Sequence, residues 1–167
     1  DKVDLMIVFP TEAAIAAKEV TRGTRIPVVF CQTNIEGTDV VDSVTEPGGN
    51  MTGVRYPGPD LALKRFEILH ELAPHAKSFW VPYARKAQVV VAQLAALRRV
   101  AAQSGVTLVE APAESASDLT EDLDARAKAA DIGIDAVLFI SEPLARTPPV
   151  FTVIAQFAAE HRIPIGG

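Results

Sequence analysis

From Ser78 to its end, the sequence alternates between short apolar segments and longer helical ones. The apolar segments are SFWVPY from Ser78, VTLVEA from Val106, AVLFIS from Ala136 and IPIG from Ile163. Continuous apolar runs of this length are typical of strands that are buried on both faces. A strand, a helix and a further strand in succession predict a parallel pair joined by a crossover. The pattern therefore predicts an α/β fold, in which helices cover both faces of a parallel sheet.

Helical periodicity between these strands predicts three helices. The first spans residues 85–104 and the last spans residues 150–161. We expect Ser117 or Asp118 to cap the middle helix and Gly133 to end it. One apolar stripe is expected on the first helix, formed by Val90, Leu94, Leu97 and Ala101.

The first 56 residues show the same order in a shorter form. LMIVF from Leu5 and IPVVFC from Ile26 predict two strands, and a helix capped by Thr11 lies between them. Two strands and one helix cannot cover their own sheet, so we expect residues 1–56 to be part of a lobe. Residues 57–76 predict a hinge or crossing segment followed by a helix. Residues 77–167 predict a flavodoxin-like α/β lobe.

Both ends of the chain look cut from something longer. A predicted apolar strand begins a few residues after Asp1, and the final residues IPIGG are typical of the end of a strand. We therefore expect a fragment of a larger protein. Exposed sheet edges at the two cuts would pair with a second copy, which predicts a homodimer.

The stretch EPGGNMTGV concentrates turn residues beside little charge. Its glycines are Gly48, Gly49 and Gly53. A phosphate-binding loop places its glycines between a strand and the start of a helix. The spacing here fits neither the GxGxxG nor the Walker A pattern, and VRYPGP follows instead of a helix. A tight turn is therefore the better interpretation.

Composition argues against several functions. A net charge of −5 without a basic run argues against nucleic-acid binding. No apolar run reaches the ~18 residues that a membrane-spanning helix needs. Cys31 is the single cysteine, and His70, His75 and His161 show no metal-ligand spacing. We therefore expect neither a metal nor another cofactor.

A catalytic set is also not predicted. Ser141 follows a strand, but it lies outside a G-x-S-x-G elbow, and neighbours in sequence such as Ser141 and Glu142 rarely point together. We expect a binding protein rather than an enzyme. A small flavodoxin-like enzyme is an alternative that would need a convergent acid–base pair.

Polar residues follow the predicted strands at their carboxyl ends. In open α/β sheets, ligands bind outside these ends, where helix N-termini also offer unpaired N–H groups. Loops face water in any such fold, so polar residues are common there without a ligand. The candidate ligand contacts are Thr11, Glu12, Gln32, Thr33, Asn34, Tyr83, Arg85, Ser141 and Glu142.

Several stretches together resemble one known family. They are LMIVFPTEAAIAAK, IPVVFCQTN, EPGGNMTGV and PDLALKRFEILHELAP, followed by VAQLAALRRVAAQSGV, ISEPL and FAAEHRIPIGG. These stretches are similar to ABC transporter substrate-binding proteins of the tryptophan/tyrosine type, which have the type I periplasmic-binding fold. The resemblance covers essentially the whole chain, and PGGNxTG is its most specific piece.

The resemblance implies an importer component that captures a solute between two lobes by hinge closure. The chain would hold the later part of lobe one and most of lobe two, and PGGNxTG would belong to the link between them. The implied partners are a small-molecule ligand and a membrane permease with its ATPase. The implied location is periplasmic or otherwise extracytoplasmic. A ligand-sensing module of a signalling protein with the same fold is an alternative.

The family's ligand contacts fall on residues already identified. Thr11 matches the Thr of a Gly-Thr-Pro-Ala-like turn, and Thr33 and Asn34 match a polar pair after the second strand. Tyr83 matches the Tyr of a Tyr-Asn-Pro-like turn. Glu142 matches the Asp of a Pro-Asp-Pro-Leu-like turn.

Departures from the family pattern affect the expected ligand. Pro10 replaces a Gly and Glu12 a Pro, and Ala84 stands where the family has an Asn, before Arg85 and Lys86. Losing an amide and gaining two cations argues against transferring the amino-acid specificity unchanged. Because Arg pairs well with carboxylates, the expected ligand is a small polar or anionic molecule, either amino-acid-like or a carboxylate.

Overall fold

The chain divides into two compact units. The computed structural model describes residues 3–144 and 147–167. The first unit is Asp1–Gly58 and the second is Pro59–Gly167. All strand pairs in both units are parallel, which confirms the predicted α/β class.

The first unit is a three-stranded sheet with one helix. The strand order is β1-β2-β3. One apolar core lies between the sheet and the helix, around Ala14, Phe30 and Met51. The elements are β1 (Met6–Val8), α1 (Thr11–Thr21), β2 (Val28–Thr33) and β3 (Met51–Arg55).

Strand β3 corrects the expectation of two strands in residues 1–56. The strand lies inside the glycine-rich stretch that the sequence analysis interprets as a tight turn, and it pairs with β2 from Val28↔Met51 onward. The strand has the sequence MTGVR, which contains Gly53 and no continuous apolar run, and most of its side chains are exposed. Backbone pairing with β2 forms this strand, and composition does not show such pairing.

The turn before β3 is built as its glycines suggest. Gly48 and Gly49 have φ angles of 67° and 59°, in the left-handed region that glycine adopts without steric cost. Asn50 then donates from Nδ2 to the carbonyl of Ile26 at 2.6 Å and to Thr21 Oγ1 at 3.1 Å. The predicted tight turn is therefore present, and it delivers the chain directly into β3.

The second unit is a four-stranded sheet with helices on both faces. The strand order is β5-β4-β6-β7. The segment 57–76, for which we expected a hinge and a helix, contains α2. The elements are α2 (Gly58–Leu72), β4 (Ser78–Ala84), α3 (Gln88–Ser104), β5 (Thr107–Ala113), α4 (Ala116–Ala127), β6 (Ala136–Leu138), α5 (Pro148–His161) and β7 (Ile165–Gly166).

Alternate residues of β4 enter two different cores. Phe79 packs with α2 and α3, and it lies 5.2 Å from the ring of Phe66. Trp80 faces the opposite side, where it packs with α4 and α5 and donates to Asp122 at 2.9 Å. Because strand side chains alternate between faces, both faces of this sheet are covered, as the sequence predicts.

Helix boundaries differ from the expectation at two caps. Ser115 caps α4, since its hydroxyl accepts from the N–H of Asp118, while a carboxylate oxygen of Asp118 accepts from the N–H of Glu114. Ser117 and Asp118 therefore lie inside the helix, which ends well before Gly133. Thr11 is the first residue of α1 and not its cap, because Pro10 takes that position without a side-chain bond.

Helix length and polarity also bear on membrane insertion. Within 3–144 and 147–167, none of the helices combines the length and the apolar character needed to cross a bilayer.

Candidate functional site

Strand topology places the candidate edge of the second unit. β4 lies between β5, which follows it in the chain, and β6, which comes later. The chain therefore passes from β4 to β5 on one side and later continues to β6 on the other side of β4. Ligands of open α/β sheets bind where the strand order reverses in this way, so the crevice outside the carboxyl ends of β4 and β6 is the expected ligand position. Ala84, Ser141 and Glu142 lie at these ends.

Glu142 joins the two strand ends. It is buried, and its Oε2 accepts from the N–H of Ala84 at 2.8 Å and from the N–H of Leu144 at 2.9 Å. These two N–H donors belong to the end of β4 and to the segment after β6, so the carboxylate bridges the two. Glu142 therefore fixes the geometry of this edge, in addition to being a candidate ligand contact.

Gln93 on α3 is a site-forming residue that the sequence reasoning missed. It is fully buried, donates to the carbonyl of Ser141 at 2.7 Å, and accepts from the N–H of Ser141 at 3.0 Å. It also donates to the carbonyl of Val89. The sequence signal for Gln93 was its position beside Leu94 on the apolar stripe of α3. A polar side chain on a buried stripe needs hydrogen-bond partners inside the protein.

Tyr83 is engaged with the neighbouring strand. Its hydroxyl donates to Glu110 Oε2 at 3.2 Å, and Arg98 clamps the same carboxylate with two bonds of 2.7 and 2.8 Å. Partial burial, with the nearby charge of Glu110, raises the pKa of Tyr83. The Arg98 bonds, against a smaller effect of burial, lower the pKa of Glu110. The structure thus groups Tyr83 with Glu110 and Arg98, whereas Glu142 is bonded to Ala84 and Leu144.

Arg85 and Lys86 turn toward the end of β5. Both are exposed. Arg85 donates from Nη2 to the carbonyl of Pro112 at 3.1 Å, and Lys86 forms a 3.1 Å ion pair with Glu114. The expectation of an anionic ligand rested on the charges of Arg85 and Lys86. The charge of Lys86 is already paired with the carboxylate of Glu114.

In the first unit, Thr11 and Asn34 meet beyond the ends of the neighbouring strands β1 and β2. Thr11 Oγ1 accepts from the backbone N–H of Asn34 at 3.0 Å and from its Nδ2 at 3.4 Å, and both residues are buried. The start of α1 is thereby tied to the end of β2. Asn34 Oδ1 is buried without a hydrogen-bond partner among the described residues.

The other candidates of the first unit are more dispersed. Gln32 is exposed at a bulge in β2 with a φ of 49°, a strained backbone for a residue with a Cβ. Thr33 is fully buried, and its hydroxyl donates to the carbonyl of Cys31. Glu12 is exposed in the first turn of α1. No hydrogen bond among the described side chains joins Gln32 or Glu12 to Thr11 and Asn34.

Glu36 and Arg55 are a second feature that the sequence reasoning missed. Glu36 Oε1 forms an ion pair with Arg55 Nη1 at the ends of β2 and β3, and both side chains are about two-thirds buried. Glu36 Oε2 is buried without a hydrogen-bond partner in the part of the chain that the structure describes. The spacing of Glu36 two residues after Asn34 was the only sequence signal.

The described residues contain no group of three His, Cys, Asp or Glu side chains arranged to hold a metal ion. The polar side chains at the strand ends are hydrogen-bond donors and acceptors, and this chemistry is suited to recognising a small solute.

Parallel sheets with helices packed against them define an α/β protein, a class that binds ligands outside the carboxyl ends of its strands. The chain belongs to the family described as ABC transporter substrate binding protein, which matches residues 1–166. This family consists of solute-binding proteins and not of enzymes. A comparison with curated proteins gave no significant match.

Solved structures show the same fold at low sequence identity. An ABC domain from Streptococcus pneumoniae in complex with L-Trp has a TM-score of 0.79 and 21% identity, over 99% of this chain and 54% of that chain. A conserved domain protein from Vibrio cholerae has a TM-score of 0.76 and 23% identity, over 98% and 52%. A solute binding protein from R. palustris in complex with 4-hydroxybenzoate has a TM-score of 0.66 and 13% identity, over 98% and 42%. The chain thus spans about half the length of these structures.

Proposed function

We propose that this chain is part of the solute-capturing component of an ABC importer and that it binds a small polar or anionic molecule. The observation that carries the proposal is the pair of prearranged strand ends, Thr11 with Asn34 and Glu142 with Ala84. Membership of the substrate-binding family supports the same reading. Rigid scaffold elements hold these groups before a ligand arrives, which lowers the entropic cost of binding.

We propose that the first unit is part of lobe one and the second is most of lobe two, and that a bound solute shifts an open–closed equilibrium toward the closed form. The partners would be a membrane permease with its ATPase, and the solute-binding protein itself would lie in the periplasm or otherwise outside the cytoplasm. Pairing of two chains through sheet edges stays a prediction.

The ligand class follows from the groups at the strand ends. The ligands named for two of the similar structures, L-Trp and 4-hydroxybenzoate, both carry a carboxylate. In this chain, Arg85 is an exposed cation just after β4, and it can pair with such a group. We therefore propose an amino-acid-like molecule or a carboxylate.

A thermal-shift screen of the full-length protein tests this function. The panel contains amino acids, small carboxylates and inorganic anions. A ligand that binds only the native state stabilises it by RT ln(1 + [L]/Kd), about 2.7 kcal/mol at a hundredfold excess over Kd. We expect a saturable shift with one chemical class, and a flat response across the panel from a folded protein would contradict solute capture.

A matched pair of variants locates the binding edge. Thr11→Val removes the hydroxyl that orients Asn34, so we expect weaker binding of any ligand found in the screen. Thr52→Val makes the same change at an exposed position of β3 and should leave the affinity unaltered. Equal affinities for the two variants would show that the end of β2 does not contact the ligand.

A further inference from the structure

A cavity of about 410 Å³ lies in the second unit, at the ends of the strands opposite the candidate solute edge. The segments that precede β4, β6 and β7 form its wall, and they include Ala76, Ile134 and Pro164. The cavity is therefore at the amino ends of these strands, whereas Glu142 and Ala84 lie at the carboxyl ends. Its volume is within the range of small-molecule sites, and a ligand here would not compete with a solute at the other edge.

Three side chains with N–H donors line this cavity. They are His75, His161 and Arg162. None of these side chains has a hydrogen bond or an ion pair with any residue that the structure describes. The ring of His161 is held 4.5 Å from the buried ring of Phe157. Arginine offers only donors, and histidine donates at least one N–H in either charge state, so the cavity presents uncommitted donors.

The backbone of Arg162 is strained, and α3 provides a direct comparison. Arg162 follows α5 with a φ of 55°, and its N–H donates to the carbonyls of Ala158 and Ala159. Gly105 follows α3 in the same left-handed conformation, with a φ of 67° and equivalent bonds. Glycine adopts this conformation without steric cost, and a residue with a Cβ does not. Strain of this kind persists mainly at functional positions, which directs attention to the side chain of Arg162.

The acceptors around the cavity are already hydrogen-bonded. Asp135 is the one carboxylate among the described residues that line it. Its Oδ2 accepts from the N–H groups of Lys77 and Ser78 and from the hydroxyl of Ser78, each at 2.8 Å. At the end of α5, the carbonyl of Ala158 accepts from two backbone N–H groups. The three donor side chains remain available while this carboxylate is occupied, which favours an anion as the ligand.

Apolar side chains form much of the remaining wall. Leu72, Ile134 and Ile163 line it, and Leu72 is 76% exposed. A bare inorganic anion would leave this apolar surface in contact with water, whereas a hydrocarbon chain or ring would cover it. We propose that the cavity is a second binding site, for a small organic carboxylate. Its charged group meets the three donor side chains, and its apolar body lies against Leu72 and Ile163. The site is separate from solute capture and does not depend on it.

Histidine resonances give a local test on the full-length protein. The Cε1 protons of His75 and His161 are assigned with His75→Gln and His161→Gln and followed by NMR while octanoate is added. We expect saturable shifts of both, with a Kd about tenfold or more below that of acetate, which lacks the apolar body, and that of octanol, which lacks the charge. His70 is the internal control, because it stacks on Phe66 and does not line the cavity.

Unmoved resonances of His75 and His161 would overturn the second site. An equal shift of His70 would do so as well, because it would show nonspecific binding, and equal binding of octanol would contradict the role of the charge. Thr11→Val, which we expect to weaken binding at the solute edge, should leave the octanoate shifts unaltered. Their loss in this variant would place octanoate at the solute edge instead, so the second site and solute capture fail separately.

Arg162→Gly separates binding from folding. Glycine relieves the left-handed backbone, so we expect a higher unfolding temperature together with a Kd for octanoate that is raised about tenfold. A more stable variant cannot have lost affinity through misfolding. Arg99→Gln removes an exposed cation from α3 and is the matched control, in which the affinity should stay the same. Unchanged octanoate affinity in Arg162→Gly, or an equal loss in the two variants, would overturn the inference.

Discussion

The two units differ in how completely each covers its own sheet. The second unit has an apolar core on each face of its sheet, one with α2 and α3 and one with α4 and α5. The first unit has a single core, on the side of α1. Ile7 on β1 and Val54 on β3 remain 71% and 65% exposed, and Phe9 just after β1 remains 59% exposed. Similar local sequence patterns therefore produce one closed sandwich and one sheet with exposed apolar side chains.

The two units also differ in how their strands are joined at the ends. In the second unit, carboxylates hold β4 to β6 at both ends, Asp135 where the strands begin and Glu142 where they finish. In the first unit, the amide of Asn50 lies before β3, and the ion pair of Glu36 with Arg55 lies after it. Among the described residues, buried side-chain atoms without a hydrogen-bond partner occur in both units: Asn34 Oδ1 and Glu36 Oε2 in the first, and His70 Nδ1 in the second.

The largest effect is expected from emptying a core of the second unit. Phe79 is fully buried between α2 and α3, against Phe66. Phe79→Ala should lower the free energy of unfolding by about 3–5 kcal/mol, because the cavity cannot collapse between two layers. Denaturant unfolding followed by the fluorescence of Trp80, the one tryptophan of the 167 residues, measures it.

Phe30→Ala makes the same change in the first unit and serves as the comparison. Phe30 lies in the core beneath α1, which does not include Trp80. We expect this variant to shift an early part of the circular dichroism transition while the Trp80 fluorescence midpoint stays near that of the unaltered chain. A common shift of both signals would show that the two units unfold together.

An intermediate effect is expected from Gln93→Leu. The substitution is similar in volume, but it leaves the N–H and the carbonyl of Ser141 without the bonds that Gln93 makes to them. Stability should fall by about 1–3 kcal/mol for an unpaired buried group. Ligand affinity should fall too, since the turn after β6 loses its support.

Gln103→Leu on the exposed side of α3 is the matched control, and little change in stability is expected from it. If the two variants unfolded at the same denaturant concentration, the bonds of Gln93 would not support the second unit.

The order of elements could be predicted from the sequence, because each apolar run is long enough to indicate a buried strand. Strand β3 could not, since pairing to β2 depends on backbone bonds between residues more than twenty positions apart. The sequence also did not identify Ser115 as the N-cap of α4, because several adjacent polar residues were equally suited to cap it.

Part of the candidate site was predictable for the same reason. Thr11 and Asn34 meet because strand ends of a parallel sheet share one edge. The partners of Tyr83 depend on strand register, since β4 pairs with β5 as Tyr83↔Pro112 and brings Glu110 within reach. Register is set by packing of the whole sheet, and a single sequence does not display it.

The smallest effect concerns acid, and it tests the carboxylate at the start of β4 and β6. Partial burial acts to raise the pKa of Asp135, but bonds from the N–H of Lys77 and from the N–H and hydroxyl of Ser78 outweigh it and lower the pKa. Because the pKa is lower in the folded state than in the unfolded state, the ionised carboxylate stabilises the fold at any pH above the pKa of the unfolded state. This stabilisation is lost as the pH falls through the pKa of the folded state.

Asp135→Asn cannot titrate, so its stability should differ from that of the unaltered chain at neutral pH, and the difference should shrink below about pH 4. Because Asp135 is exposed, water screens the effect, and we expect it to be smaller than that of Gln93→Leu. Unfolding midpoints read from Trp80 across this pH range measure the difference. A constant difference at every pH would mean that the bonds to Lys77 and Ser78 act through their geometry and not through the carboxylate charge.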